Sequence, residues 1–179
     1  MKRFFFDMDG TLARFYEDAG CVRNSGRDGF FLDLKPYENM VAALKMMRAR
    51  PDVRVYVLSH AETEAAREDK QSWLAVQVQD PIACLFCKHV KSKAEYVKEA
   101  LDDFGEDFIA VDDYSSNLVD WETRGGSAVK VLNEFNGRGW NGTNFVGKEI
   151  STEWSARDIY EHLCAMFQLD PAVAKEGAY

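Results

Sequence analysis

Arg3-Phe4-Phe5-Phe6-Asp7-Met8-Asp9-Gly10-Thr11 decides how this chain is read. The short apolar run Arg3–Phe6, rich in aromatic residues, predicts a buried central strand that ends at Asp7. A carboxylate at a strand end, with another two residues on, can share one hard cation. Asp7 would use its side chain and Asp9 its backbone carbonyl. Gly10 permits the sharp turn this needs, and oxygen ligands of this kind suit Mg²⁺. Asp7 can also attack phosphorus to form an aspartyl-phosphate. The Asp9 side chain, free of the metal, can then protonate a leaving oxygen and later deprotonate water. A lone acidic turn is more often just a turn, so the weight falls on what the rest of the chain sets beside it.

Working outward, strands alternate with amphipathic helices. Strands are expected at Val53–Leu58, Ile82–Phe86, Phe108–Val111 and Ala128–Leu132. A helix opened by Pro36 carries Met40, Val41, Leu44 and Met47 on one face. Others are expected over about Ala61–Val76, from the N-cap Ser92 to Gly105, over Ser115–Arg124 and over Ser155–Phe167. This order means βαβ units, an α/β fold and a parallel sheet, in one domain spanning 1–179. Asp7, Ser59 and Asp112-Asp113 all fall at the C-terminal ends of strands, which line the ligand crevice of an open parallel sheet. Residues 133–147, with Asn136-Gly137 and Gly139-Trp140-Asn141-Gly142, read as turns near the sheet edge.

Hydrophobic residues make up 46% of the 179, enough for a real core. The net charge of −8 argues against a nucleic-acid polymer as partner, because most of the surface repels phosphate backbones. No apolar run approaches the roughly 18 residues of a membrane span, and the opening is too soon acidic for a signal peptide. A soluble cytoplasmic protein without membrane contact is expected. Cys84 and Cys87 have C-x-x-C spacing, but Cys21 and Cys164 stand far off, so a buried strand end is preferred to a zinc site.

Asp7-Met8-Asp9-Gly10-Thr11 resembles the D-x-D-G-T signature of the haloacid dehalogenase-like hydrolases, and the likeness runs from about residue 4 to 132. Ser59 matches the residue that holds the transferring phosphoryl group. Lys93, in Lys91-Ser92-Lys93-Ala94, matches the lysine that neutralises nucleophile and phosphate. Asp112-Asp113 matches the acidic pair completing the metal site, with Asp113 as direct ligand and Asp112 as its support. The resemblance implies a three-layer Rossmann-like sheet, Mg²⁺ as cofactor and a phosphatase acting through phospho-Asp7. Each residue has a plainer reading: Ser59 as the N-cap of the helix near Ala61, Asp112-Asp113 as a cap, Lys93 as a solvated lysine. Lys91 is a candidate second phosphate contact, and His60 could touch substrate.

Gly29-Phe30-Phe31-Leu32-Asp33-Leu34-Lys35-Pro36 is similar to the G-F-F-x-x-L-x-P segment of 5′(3′)-deoxyribonucleotidases, as is Phe5–Phe15 to their opening motif. This implies a nucleoside monophosphate as substrate. Phe15, Phe30 and Phe31 could stack a base, or Phe30 and Phe31 could equally pack the insertion onto the core. The family's helical cap is missing. The insertion, residues 14–35, offers only Tyr16 to Asp28, rich in Gly, Asn, Ser and Arg, so the site should be open or covered by a partner subunit of a homo-oligomer. Two rivals stand. One is a phosphatase of sugar phosphates or other small phosphoesters. The other, from a different class, is a phospho-acceptor signalling module, disfavoured because receivers put their acidic pair first in the chain.

Overall fold

A computed structural model of the chain describes residues 1–15, 21, 25–79, 81–136 and 145–173. Six strands form one sheet: β1 (Lys2–Phe6), β2 (Val53–His60), β3 (Ala83–Cys87), β4 (Phe108–Asp112), β5 (Ser127–Leu132) and β6 (Lys148–Ser151). Their spatial order is β3-β2-β1-β4-β5-β6, and each neighbouring pair is parallel. Among the described residues the α-helices are α1 (Glu38–Arg48), α2 (Glu64–Val78), α3 (Lys93–Leu101), α4 (Ser115–Thr123) and α5 (Ala156–Met166). The α/β class and the parallel sheet agree with the sequence reading.

The triple phenylalanine explains the layering. Side chains alternate faces along a strand, so Phe4 and Phe6 enter one core while Phe5 enters the other. The first core is closed by Met40, Leu44 and Met47 of α1, Trp73 and Leu74 of α2, and Ile159 and Leu163 of α5. The second is closed by Val97 of α3 and by Leu118 and Trp121 of α4. Three layers result.

Three of these helices, α2, α3 and α5, start with a side-chain cap. Thr63 Oγ1 accepts from Ala66 N at 3.1 Å, Ser92 Oγ from Glu95 N at 3.2 Å, and Ser155 Oγ from Asp158 N at 3.1 Å. Three local expectations are corrected. Ser59 caps nothing, because β2 runs on through His60 and Thr63 caps the helix. α3 stops at Leu101, where Asp102 takes a left-handed turn (φ 49°) ahead of Gly105. β6 was not expected at all; its four residues, Lys-Glu-Ile-Ser, bury one side chain, Ile150. The expected turns at 137–142, and residues 16–20 and 22–24 of the insertion, lie outside the described residues.

The chain winds β1-β2-β3 one way, then returns to set β4 on the other side of β1. The C-terminal ends of β1 and β4 therefore flank the switch point, where open α/β sheets bind ligands. No helix among the described residues is long and apolar enough to cross a membrane.

Candidate active site

Asp7 N donates to Val111 O at 2.9 Å, extending the β1–β4 ladder by one residue and bringing Asp7 alongside Asp112. Beyond it the chain folds back at once: Leu12 N and Ala13 N both bond Met8 O, at 2.9 and 2.8 Å. Gly10 turns with φ +80°, and a Cβ there would lie 2.3 Å from Asp113 Oδ2. Only glycine admits that approach.

Asp7, Asp112 and Asp113 are all buried, and one oxygen from each lies within 4.8 Å of the others. Lys93, also buried, bridges two of them, with Nζ 2.6 Å from Asp7 Oδ1 and 2.7 Å from Asp112 Oδ2. Burial lifts the Asp7 carboxyl to about 7; Lys93 opposes the rise, while Asp112 and Asp9 add to it. Asp113 is raised well above the ordinary carboxylate range by burial, then by Asp112 and Asp7. The Lys93 ammonium is pushed up, because the two carboxylates outweigh its burial.

The twin aspartates are held differently. Asp112 is tied by Lys93, by Tyr114 N at 2.7 Å and by Asn117 Nδ2 at 3.0 Å. Asp113 Oδ2 accepts from Asn133 Nδ2 at 3.2 Å, and that amide also donates to Gly10 O at 2.8 Å. Asn136 Nδ2 and Lys130 Nζ both donate to the Asp113 carbonyl. None of these three residues was singled out from sequence. Asn133 directly follows β5, so the strand-end rule that marked Asp7 also points to it.

A second lysine was missed. Lys70, fully buried on α2, donates to Asp9 Oδ2, to Ser59 Oγ at 3.0 Å and to His60 O at 2.8 Å, with its ammonium 4.3 Å from the centre of the Phe31 ring. Each carboxylate of Asp7-Met8-Asp9 thus has its own lysine.

These groups floor a cavity of about 810 Å³ bordered by Asp7, Asp9, Lys70, Lys93 and Asp113, with Phe15, Phe31, His60 and His89 on its walls. His60 ends β2; its ring stacks on His89 at 4.0 Å, and burial holds its pKa down to about 3. Ser59 is wholly buried below Lys70 and does not border the cavity. Phe30 packs edge-on against Phe31 at 5.0 Å and stays out of the cavity wall. Lys91 turns away to Glu99. Cys84 and Cys87 stand three residues apart on β3, an odd offset that sends one thiol to each face; Cys84 packs with the first core and Cys87 with the second. All four cysteines are free.

The fold of the chain matches those of solved structures. The chain superposes on D,D-heptose 1,7-bisphosphate phosphatase from Burkholderia thailandensis with a TM-score of 0.62. The fold is the haloacid dehalogenase-like one. That match covers 92% of this chain and 99% of the other at 13% identity. The B. bronchiseptica enzyme of the same description, complexed with magnesium and phosphate, matches at TM-score 0.62, 14% identity and 93% and 99% coverage. A haloacid dehalogenase family hydrolase from Deinococcus radiodurans R1, with bound phosphate and sodium, gives 0.66, 11%, and 96% and 98%. At such identities the haloacid dehalogenase-like fold is what is shared. No protein-family model and no curated protein matches the chain.

Proposed function

We propose that this protein is a Mg²⁺-dependent phosphomonoesterase that forms an aspartyl-phosphate on Asp7. The observation that carries the reading is the convergence of the Asp7, Asp112 and Asp113 carboxylates beneath a cavity, with Lys93 on the nucleophile. Buried carboxyls that raise one another's pKa fit a hard divalent cation, and the cradle that Gly10 leaves beside Asp113 fits it too. Asp7 and Asp113 side chains with the Asp9 carbonyl would hold it, and Asp112 would support them. When bound, Mg²⁺ supplies charge neutralisation for the transferring phosphoryl group.

In the first step an Asp7 oxygen bonds to phosphorus, the ester P–O bond breaks, and Asp9 gives its proton to the leaving oxygen. In the second step a water attacks phospho-Asp7, Asp9 takes the water's proton, and phosphate leaves with Asp7 restored. Lys93 borders both the nucleophile and the cavity, so it holds phosphoryl oxygens throughout. Ser59, set back from the cavity beneath Lys70, accepts from that lysine and serves to hold it in place.

For substrate we propose a nucleoside monophosphate, supported by the Phe15 and Phe31 rings on the cavity wall. Sugar phosphates are the alternative, favoured by the heptose bisphosphate phosphatases that share the fold. Phosphate release with Mg²⁺ across deoxyribonucleotides, ribonucleotides and sugar phosphates separates the two. Higher kcat/KM on nucleotides supports the first substrate and a preference for sugar phosphates the second; silence across the panel contradicts the phosphatase itself.

A further inference from the structure

Lys70 is unusual for its place. It is fully buried, on the α2 face that carries Ala66, Trp73 and Leu74 into the cores. Burying an ammonium is expensive, and an apolar side chain of the same length would fill that position at less cost. The lysine ends at the second aspartate of the acidic turn, with no other carboxylate among its partners in the described residues. An ammonium has three protons. Here they go to Asp9 Oδ2, Ser59 Oγ and His60 O, so the group is saturated. Asp9 Oδ1, by contrast, is buried with no partner among the described residues.

Resting on the proposed phosphatase reading, we infer that Lys70 is the positioning residue for Asp9. It pins Asp9 by Oδ2 and so fixes that carboxyl on the cavity border, where it hands a proton to the leaving group and takes one from water. The His60 carbonyl fixes the ammonium to the end of β2, and the Phe31 ring covers its outer side. Asp9 sits in a turn with no neighbour on α2 in the chain. Without that anchor its carboxylate can rotate away from the reacting oxygen, and loss of alignment of this kind lowers turnover without removing binding.

The test is a double-mutant cycle on the full-length protein, with Mg²⁺ and phenyl phosphate, reading kcat and KM for the wild type, Lys70→Met, Asp9→Asn and the double variant. Lys70→Met is expected to lower kcat by about 10- to 100-fold with KM changed less than about threefold. Asp9→Asn is expected to lower it by about 10²- to 10⁴-fold. The double variant should be no slower than Asp9→Asn alone, because Lys70 acts only through Asp9. Multiplied losses in the double variant, or wild-type kcat in Lys70→Met, would overturn the inference. Circular dichroism reports folding, and if Lys70→Met does not fold, Lys70→Leu, which likewise removes every donor toward Asp9, takes its place in the cycle. A wild-type protein inactive with Mg²⁺ on every phosphoester overturns the phosphatase reading itself. An active wild type with multiplied losses overturns the role of Lys70 alone.

Discussion

Gly10 and Asp113, 103 positions apart, meet so closely that the missing Cβ of Gly10 would stand 2.3 Å from Asp113 Oδ2. Gly10 also has φ +80°, a conformation that costs other residues about 1–3 kcal/mol. Gly10→Ala should therefore lower stability by about that amount and push Asp113 off its seat. Isothermal titration with Mg²⁺ and thermal melting check both effects. Unchanged affinity would show that the contact plays no part in metal binding.

Asn133 joins the same two residues through one amide, donating to Gly10 O and Asp113 Oδ2. Groups that orient metal ligands typically contribute about 10- to 100-fold to affinity. Asn133→Ala is expected to weaken Mg²⁺ binding within that range, measured by titration.

The pH dependence of stability has a definite sign. Asp7 and Asp113 hold protons more tightly folded than unfolded, so the metal-free protein loses their contribution as pH rises from 3.8 through about 7 and beyond. His60, held down to about 3 by burial, acts oppositely below 6.5. Comparing Asp113→Asn with the wild type cancels the His60 effect. Metal-free Asp113→Asn should melt increasingly above the wild type as pH climbs from about 5 to about 8, and saturating Mg²⁺ should shrink or reverse the gap. A gap that does not change with pH would contradict the crowding of the three carboxylates.

Lys93 pairs with Asp7 and Asp112 while both are buried, so removing it leaves two unopposed charges. Lys93→Met is expected to cost about 3–5 kcal/mol of metal-free stability and to lower kcat/KM. Chemical denaturation and steady-state kinetics check the two.

The framework was legible because its strands are concentrated. Phe4–Phe6, Val53–Leu58 and Phe108–Val111 are runs that only burial explains, and their ends lead to Asp7, Ser59 and Asp112-Asp113. What escaped notice has physical reasons. β6 is four residues with one apolar side chain facing inward, too weak a pattern to stand out. Lys70 occupies an inward helix position, but its charge reads as a solvated side chain, and only the fold reveals the aspartate that receives it. Asn133 and Asn136 work as amides bridging backbone and carboxylate, and single asparagines after a strand read as turn formers. Phe30 and Phe31, adjacent in sequence, part company because only Phe31 borders the cavity.

The most direct measurement is to look for the phosphoryl group on Asp7. Rapid acid quench of the protein with Mg²⁺ and its best phosphoester, followed by peptide mass spectrometry, should find one phosphoryl group on the peptide carrying Asp7. It should be absent without Mg²⁺, and Asp7→Asn should bind Mg²⁺ yet lose turnover by on the order of 10⁴-fold or more. Turnover retained in Asp7→Asn, with no phosphorylated peptide in the active wild type, would contradict it.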